Sequence, residues 1–255
     1  MFMTQNDFWR TKIHIDKDSP LPLYYQMKQA ILDAIRDGTL KEGDMIPSEL
    51  DLCAMYDISR STIRQTLSEL VMEGYLTRRR AKGTVVAAPK IDARFLNKLQ
   101  SYNEEMRQKG LTPSTRLMSL KVLSGIRHIN EKLHLDPDKP LIYLERLRCA
   151  DGEPLVYLET YIPYDDFPQL MNQDFTNGSL YEYMERLYDK RVSRVVRKIE
   201  AVIATSSEAQ LLDIAKGAPV CLVKTVAYTS NGDPAEYSVA RYRGDRNEFS
   251  VELYR

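Results

Sequence analysis

The sequence predicts an α+β protein in two parts. Three helices and a hairpin come first, and a longer domain of mostly antiparallel strands with interspersed helices follows. Three observations carry this. Apolar residues recur at three- and four-residue spacing before residue 73. Extended runs parted by turn signals dominate beyond residue 115. The length, 255 residues, suits two modest domains at about 100–200 residues each. Hydrophobic residues make up 43% and charged residues 28%, the balance of an ordinary soluble globular chain, which excludes disorder and collagen-like repeats.

The elements follow in order. Leu23, Met27, Ala30, Ile31, Ala34 and Ile35 mark an amphipathic first helix, with Pro22 at its entry and Gly38 at its exit. A short second helix runs to Tyr56 with Ser48 as N-cap. After the tight link Asp57-Ile58-Ser59, a third helix is expected from about Arg60 to Glu73. Its Ile63, Leu67, Leu70 and Val71 lie on one face, and Gly74 ends it. Tyr75–Arg78 and Thr84–Ala87 read as strands around the basic turn Arg79-Arg80-Ala81-Lys82-Gly83. Helix, tight helix pair and basic hairpin make a winged helix-turn-helix. The segment from Ala88 to Phe95, with Pro89, reads as a linker. Beyond it come a helix near Tyr102–Lys109 and strands near 115–123, 141–150, 155–161, 193–204, 220–229 and 235–242. Helical patches are expected near 129–133, 180–187 and 207–214, which gives an antiparallel α+β domain.

Net charge is zero, with 36 basic and 36 acidic residues. The charge is uneven, however. Seven basic and three acidic residues lie between Asp57 and Lys90, a local excess that favours an anionic partner. The N-terminal end of a recognition helix reads base edges in the DNA major groove. Here that end carries Arg60, Ser61, Thr62, Arg64 and Gln65. Arg60 and Arg64, four apart, share a face turned away from Ile63, Leu67 and Leu70. Arginine clamps guanine, and glutamine pairs with adenine. Ser61 and Thr62 can donate to phosphates or bases. Arg79, Arg80 and Lys82 of the wing can neutralise phosphates.

The motifs Pro22-Leu23-Tyr24-Tyr25-Gln26, Pro47-Ser48-Glu49, Ser59-Arg60-Ser61-Thr62-Ile63-Arg64-Gln65 and Lys82-Gly83-Thr84-Val85-Val86 resemble the GntR family of bacterial transcription regulators. The resemblance runs from about Leu21 to Ala88. It implies that Arg60, Ser61, Thr62 and Arg64 contact DNA and that Gly83 sits at the wing tip. One departure stands out: the family usually has arginine directly after Pro-Ser-Glu, where this chain has Leu50. That removes one expected DNA contact.

In the second part, Arg146 and Arg148 are two apart in an expected strand and so share a face. Two adjacent cations need compensation, from a bound phosphate or carboxylate, or from acids such as Glu159 and Glu236. The segments Leu99-Gln100-Ser101-Tyr102, Glu145–Pro154, Glu159–Pro163, Gly178–Tyr183 and Glu236–Arg246 are similar to the UTRA effector domain of the HutC subfamily, from about Phe95 to Arg255. That resemblance implies a chorismate-lyase-like antiparallel sheet flanked by helices. It also implies that Ser101, Arg146, Arg148 and Ser179 hold a phosphate while Glu159, Glu236 and Tyr242 face a sugar. The expected layout is a winged helix-turn-helix at 16–88, a linker at 89–95 and an effector domain at 96–255.

The expectation is therefore a homodimeric transcription regulator, a repressor, that binds double-stranded operator DNA under control of a phosphorylated sugar or amino sugar. A carboxylate or aromatic-acid effector is the alternative within that class. A lyase-like enzyme would need positioned acid–base or nucleophilic groups. His14, His128 and His134 have no recognisable partners, and Cys53, Cys149 and Cys221 sit in apolar contexts. No catalytic residue, cofactor or metal is expected. The cysteines form no CxxC pair, which argues against a disulfide framework or zinc site. No run approaches the roughly 18–20 apolar residues of a membrane span. The start of the chain lacks a secretory pattern, so the cytoplasm is the expected compartment. Met1–Ile15, which holds the lone tryptophan Trp9, reads as either an ordered arm or a frayed end.

Overall fold

A computed structural model of the chain describes residues 9, 11, 13–79, 83–92 and 99–251, with Arg79 described by its backbone. The chain forms two compact units, Met1–Ile91 and Asp92–Arg255.

The first unit holds α1 (Leu23–Arg36), α2 (Glu49–Tyr56) and α3 (Arg60–Met72). α1 turns Met27, Ile31, Leu32 and Ala34 inward. These meet Leu52 of α2 and Ile63, Leu67 and Leu70 of α3 in one apolar core. Burial of each large aliphatic side chain there contributes about 1.5–3 kcal/mol. α2 opens with a reciprocal capping box. Ser48 Oγ accepts from the Asp51 amide at 3.2 Å, and the Asp51 carboxylate accepts from the Ser48 amide at 3.3 Å. Asp57 ends the helix in the left-handed region at φ 50°. Ser59 then caps α3, accepting from the Thr62 amide at 3.2 Å. Lys28 of α1 bridges to Glu69 at 3.0 Å and Glu73 at 2.5 Å, tying the first and third helices together. Trp9 and Ile13 are buried in this core beside Met27, Ile31 and Leu52.

Two strands form the hairpin, β1 (Leu76–Arg79) and β2 (Gly83–Val86), antiparallel with Leu76 opposite Val86 and Arg79 opposite Gly83. Gly83 sits at φ +84°, a backbone state that favours glycine. Arg80 and Lys82 lie outside the described residues.

The second unit is built on six antiparallel strands: β3 (Pro113–Leu123), β4 (Leu141–Ala150), β5 (Glu153–Pro163), β6 (Val192–Ile203), β7 (Pro219–Thr229) and β8 (Pro234–Arg243). Their spatial order is β3-β4-β5-β8-β7-β6. Four helices accompany them: α4 (Tyr102–Gln108), α5 (Arg127–Asn130), α6 (Leu180–Tyr188) and α7 (Ser206–Leu211). Two short 3-10 segments are described, Glu131–Leu133 and Pro168–Asn172, and the second is an element that the sequence pattern does not announce. α6 packs Leu180 and Met184 against Ile142 and Leu144 on one sheet face, together with Phe167 and Phe175. On the other face, Ala209 and Leu212 at the end of α7 meet Leu147, Cys149 and Tyr157. Ile129 of α5 and Leu133 pack nearby with Tyr161 and Tyr237. The strand period of two therefore sorts the side chains into two layers. At the end of β8, buried Arg243 pairs with Asp245 at 2.7 Å and Glu153 at 3.0 Å, and Glu153 also takes Arg246 at 2.8 Å. These residues are structural ion pairs.

Candidate functional site

Register decides which side chains converge. Arg146 of β4 faces Leu158 of β5 and Arg148 faces Val156. Those in turn stand opposite Ala240 and Tyr242 of β8. Ser238 and Ala240 face Thr225 and Val223 of β7, and Arg197 of β6 faces Thr225. All these residues share one layer, and they floor a partly open cavity of ≈ 140 Å³. α4 forms one wall with Ser101 and Glu105, and the start of α6 forms another with Ser179 and Tyr181.

Two arginines, Arg146 and Arg148, give the cavity a cationic side. Arg146 is only 2% exposed, and its Nε and Nη1 have no hydrogen-bond partner in the protein. Burial, and then the Arg148 charge beside it, push its guanidinium down to about 9, so it is still charged at neutral pH. Burial also lowers Arg148, whose guanidinium lies 5.0 Å from the centroid of the Tyr102 ring. Ser179 stands at the N-cap of α6 without a side-chain cap hydrogen bond. The amides of that first turn are thus available to a ligand. Gly178 before it leaves room for the Tyr183 hydroxyl, which a Cβ there would overlap and which donates to the Asp174 carbonyl at 2.8 Å.

The opposite polarity comes from Glu236. It is 4% exposed, lines the cavity, and keeps Oε2 without a partner. Tyr181 donates its hydroxyl to this carboxylate, and burial followed by the Glu236 charge holds the phenol well above its usual range.

Six of the seven expected effector residues therefore converge: Ser101, Arg146, Arg148, Ser179, Glu236 and Tyr242. Ser101 also caps α4, accepting from the Glu104 amide at 3.2 Å. Glu159 is the correction. It stands opposite Glu145 and Val239, in the layer away from the cavity. There it binds Arg241 at 2.6 Å and accepts from the Tyr143 hydroxyl at 3.0 Å. The reason is the strand period: its neighbour Leu158 takes the inward place. Sequence reasoning missed Glu105, Tyr181 and Arg197. Of these, only the alternation around Arg197 offered a signal.

In the first unit, the N-terminal end of α3 presents Arg60 and Arg64 to solvent, their side chains 62% and 58% exposed. Glu49 of α2 holds both, at 3.3 Å and 3.4 Å, through a single carboxylate oxygen. Partial burial pushes the Glu49 carboxyl up, but the hydrogen bonds from the two arginines outweigh it and hold the group below its usual range. Ser61 and Thr62 place their hydroxyls 2.9 Å and 2.8 Å from Ser59 Oγ. Gln65 donates to Glu69 at 3.1 Å. Leu50 is 65% exposed one residue after Glu49. Arg79 contributes its backbone to β1, and Gly83 opens β2.

No described helix is long and apolar enough to cross a membrane. Among the described residues no cluster of His, Cys, Asp and Glu could hold a metal ion.

A winged helix-turn-helix unit followed on the same chain by an antiparallel-sheet unit with a polar-lined cavity defines a class: transcription regulators with an effector-binding domain. Residues 23–86 match the model of bacterial regulatory proteins of the gntR family, and residues 108–248 match the UTRA domain. The chain belongs to the GntR family, in its HutC/UTRA branch, whose members typically bind operator DNA as dimers. It is 35% identical over 237 residues to the HTH-type transcriptional repressor NagR of Bacillus subtilis (strain 168), which covers 93% of this chain and 97% of that protein. It is 30% identical to the HTH-type transcriptional repressor PhnF of Mycolicibacterium smegmatis over 92% of this chain and 95% of that one. The crystal structure of PhnF superposes with a TM-score of 0.63, covering 89% of this chain and 98% of that one.

Proposed function

We propose that this regulator is a repressor that binds operator DNA as a homodimer and releases it when a phosphorylated sugar or amino sugar fills the cavity of the C-terminal unit. The observation that carries this reading is Arg146: a buried guanidinium, in a cavity wall, with two nitrogens lacking partners. A phosphate would satisfy those nitrogens, the Arg148 charge and the open first turn of α6 through charge-assisted hydrogen bonds. The partnerless oxygen of Glu236 then suits a hydroxyl or amine of the sugar, and Tyr242 and Ser238 line the same floor. The domain limits that go with this reading are 16–88 for DNA binding and 96–255 for sensing, with 89–95 between them.

On the DNA side, Arg60 and Arg64 suit guanine edges, Gln65 suits adenine, and Ser61 and Thr62 suit phosphates. The wing residues Arg79, Arg80, Lys82 and Gly83 complete the contact. Two such heads in a dimer read two half-sites of a pseudo-palindrome.

Selection from a random-sequence duplex pool tests the DNA half. A recovered pseudo-palindrome supports the reading, and failure to enrich any sequence contradicts it. Adding phosphorylated sugars to the selected duplex complex then tests the sensing half. Release by a phosphorylated sugar but not by its unphosphorylated counterpart is the expected result.

A further inference from the structure

α4 does two things at once. Ser101, Glu105 and Met106 give it a place in the cavity wall. Its C-cap residue is Lys109. The Lys109 ammonium donates to Glu105 Oε1 at 2.6 Å and also to the backbone carbonyl of Asp92. Glu105 is 4% exposed and the Lys109 side chain 20% exposed, so this is a largely desolvated pair and not a solvated surface contact. Asp92 is the first residue of the C-terminal unit, one peptide bond from Ile91, the last of the N-terminal unit. One ammonium thus joins the cavity wall to the point where the chain enters the sensing unit.

We propose that Lys109 is a positioning residue that carries the state of the effector cavity to Asp92, and so to the DNA-binding unit. The proposal rests on the reading that an anionic effector fills the cavity. Glu105 lies four residues, about 6 Å of helical rise, from Ser101 on the same wall. An anion held by Ser101 and Arg148 repels the Glu105 carboxylate, and a small displacement of α4 follows. Lys109 is bound to Glu105 by charge and to Asp92 by a hydrogen bond, so the displacement moves both ends. The Arg146, Arg148 and Ser179 contacts supply affinity, and the Glu105–Lys109–Asp92 link supplies response.

The test compares the full-length wild type with Lys109→Gln and Lys109→Arg. Glucose 6-phosphate and glucosamine 6-phosphate serve as probes, with a duplex selected by the wild type. Thermal shift reads probe binding, and fluorescence anisotropy reads duplex affinity. In the wild type a probe is expected to weaken the duplex about tenfold, within the usual range of coupling. In Lys109→Gln the thermal shift is expected to persist, with duplex affinity changing less than about twofold. Lys109→Arg, which keeps the charge and the donors, is expected to restore the response. Release by Lys109→Gln equal to that of the wild type overturns the proposal, as does loss of probe binding together with release. A wild type silent to both probes removes the sensing reading, and the proposal falls with it. If Lys109→Gln does not fold, hydrogen exchange on the wild type decides. Probe-induced change in α4 and at residues 91–92 together supports the link, and change in α4 alone contradicts it.

Discussion

Arg146 is costly to the fold, being 2% exposed with Nε and Nη1 lacking partners in the protein. A buried donor without a partner costs about 1–3 kcal/mol, and a buried lone charge costs more. Its ring neighbour Phe175, 5.8 Å from the guanidinium to the centroid, returns part of that. Arg146→Met removes the charge while keeping a flexible apolar side chain in the floor. The expected melting temperature without effector is unchanged or higher, at about 2–4 °C per kcal/mol for a chain of this size. A fall of several degrees would show that the guanidinium is already satisfied. Glu159→Gln separates the two layers of the sheet. The Arg241 pair weakens, so stability falls, while affinity for a phosphorylated sugar stays within about twofold by the standard of distant sites. A calorimetric titration showing lost affinity would return Glu159 to the site. The pairing of Arg146 with Arg148 was legible from their spacing. The place of Glu159 was not, because sequence does not set which residue of a neighbouring strand faces inward.

The elements were far more legible than the site. Leu141–Ala150 runs over the expected limits, and the other strands differ by one or two residues at their ends. Period-two burial over ten or more residues is a strong pattern, whereas the single turn at Pro168–Asn172 is too short to show any period. A cap was also readable: Ser48 accepts the hydrogen bond that its position suggested, and Ser59 caps α3 in the same way. Ser59 carries a further role, since its hydroxyl meets those of Ser61 and Thr62 at the end that would face DNA. Ser59→Ala is expected to cost about 1 kcal/mol of stability, measured by urea unfolding of the full chain. It is also expected to weaken duplex binding beyond that loss, because Ser61 and Thr62 lose their orienting partner. Duplex affinity equal to that of the wild type would limit Ser59 to capping.

At the scale of the whole molecule, the proposed function is a coupling between two units that each have their own core. Composition and net charge carried almost none of this, since the zero total hides the basic hairpin and the buried arginine pair. The cavity has its floor on the sheet and its walls on α4 and α6, elements scattered over more than half of the chain; Glu105 and Tyr181 are therefore invisible to any local pattern. Trp9 likewise gave no sign of its place until the core around Met27, Ile31 and Leu52 was assembled. Coupling must be reciprocal: an effector that weakens duplex binding by some factor is itself weakened by the duplex by the same factor. Titrating a phosphorylated sugar into the protein with and without selected duplex checks this, and a sugar affinity unchanged by the duplex would exclude coupling between the two sites.

The central claim is that the cavity around Arg146 and Arg148 holds a phosphorylated sugar. The most direct measurement is thermal melting of the wild type and Arg146→Met against sugar phosphates paired with their unphosphorylated counterparts. A ligand that binds only the folded state raises the melting temperature by mass action. The expected result is a rise with a phosphorylated sugar alone, absent in Arg146→Met. An equal rise with the unphosphorylated partner, or one that survives in Arg146→Met, would contradict it.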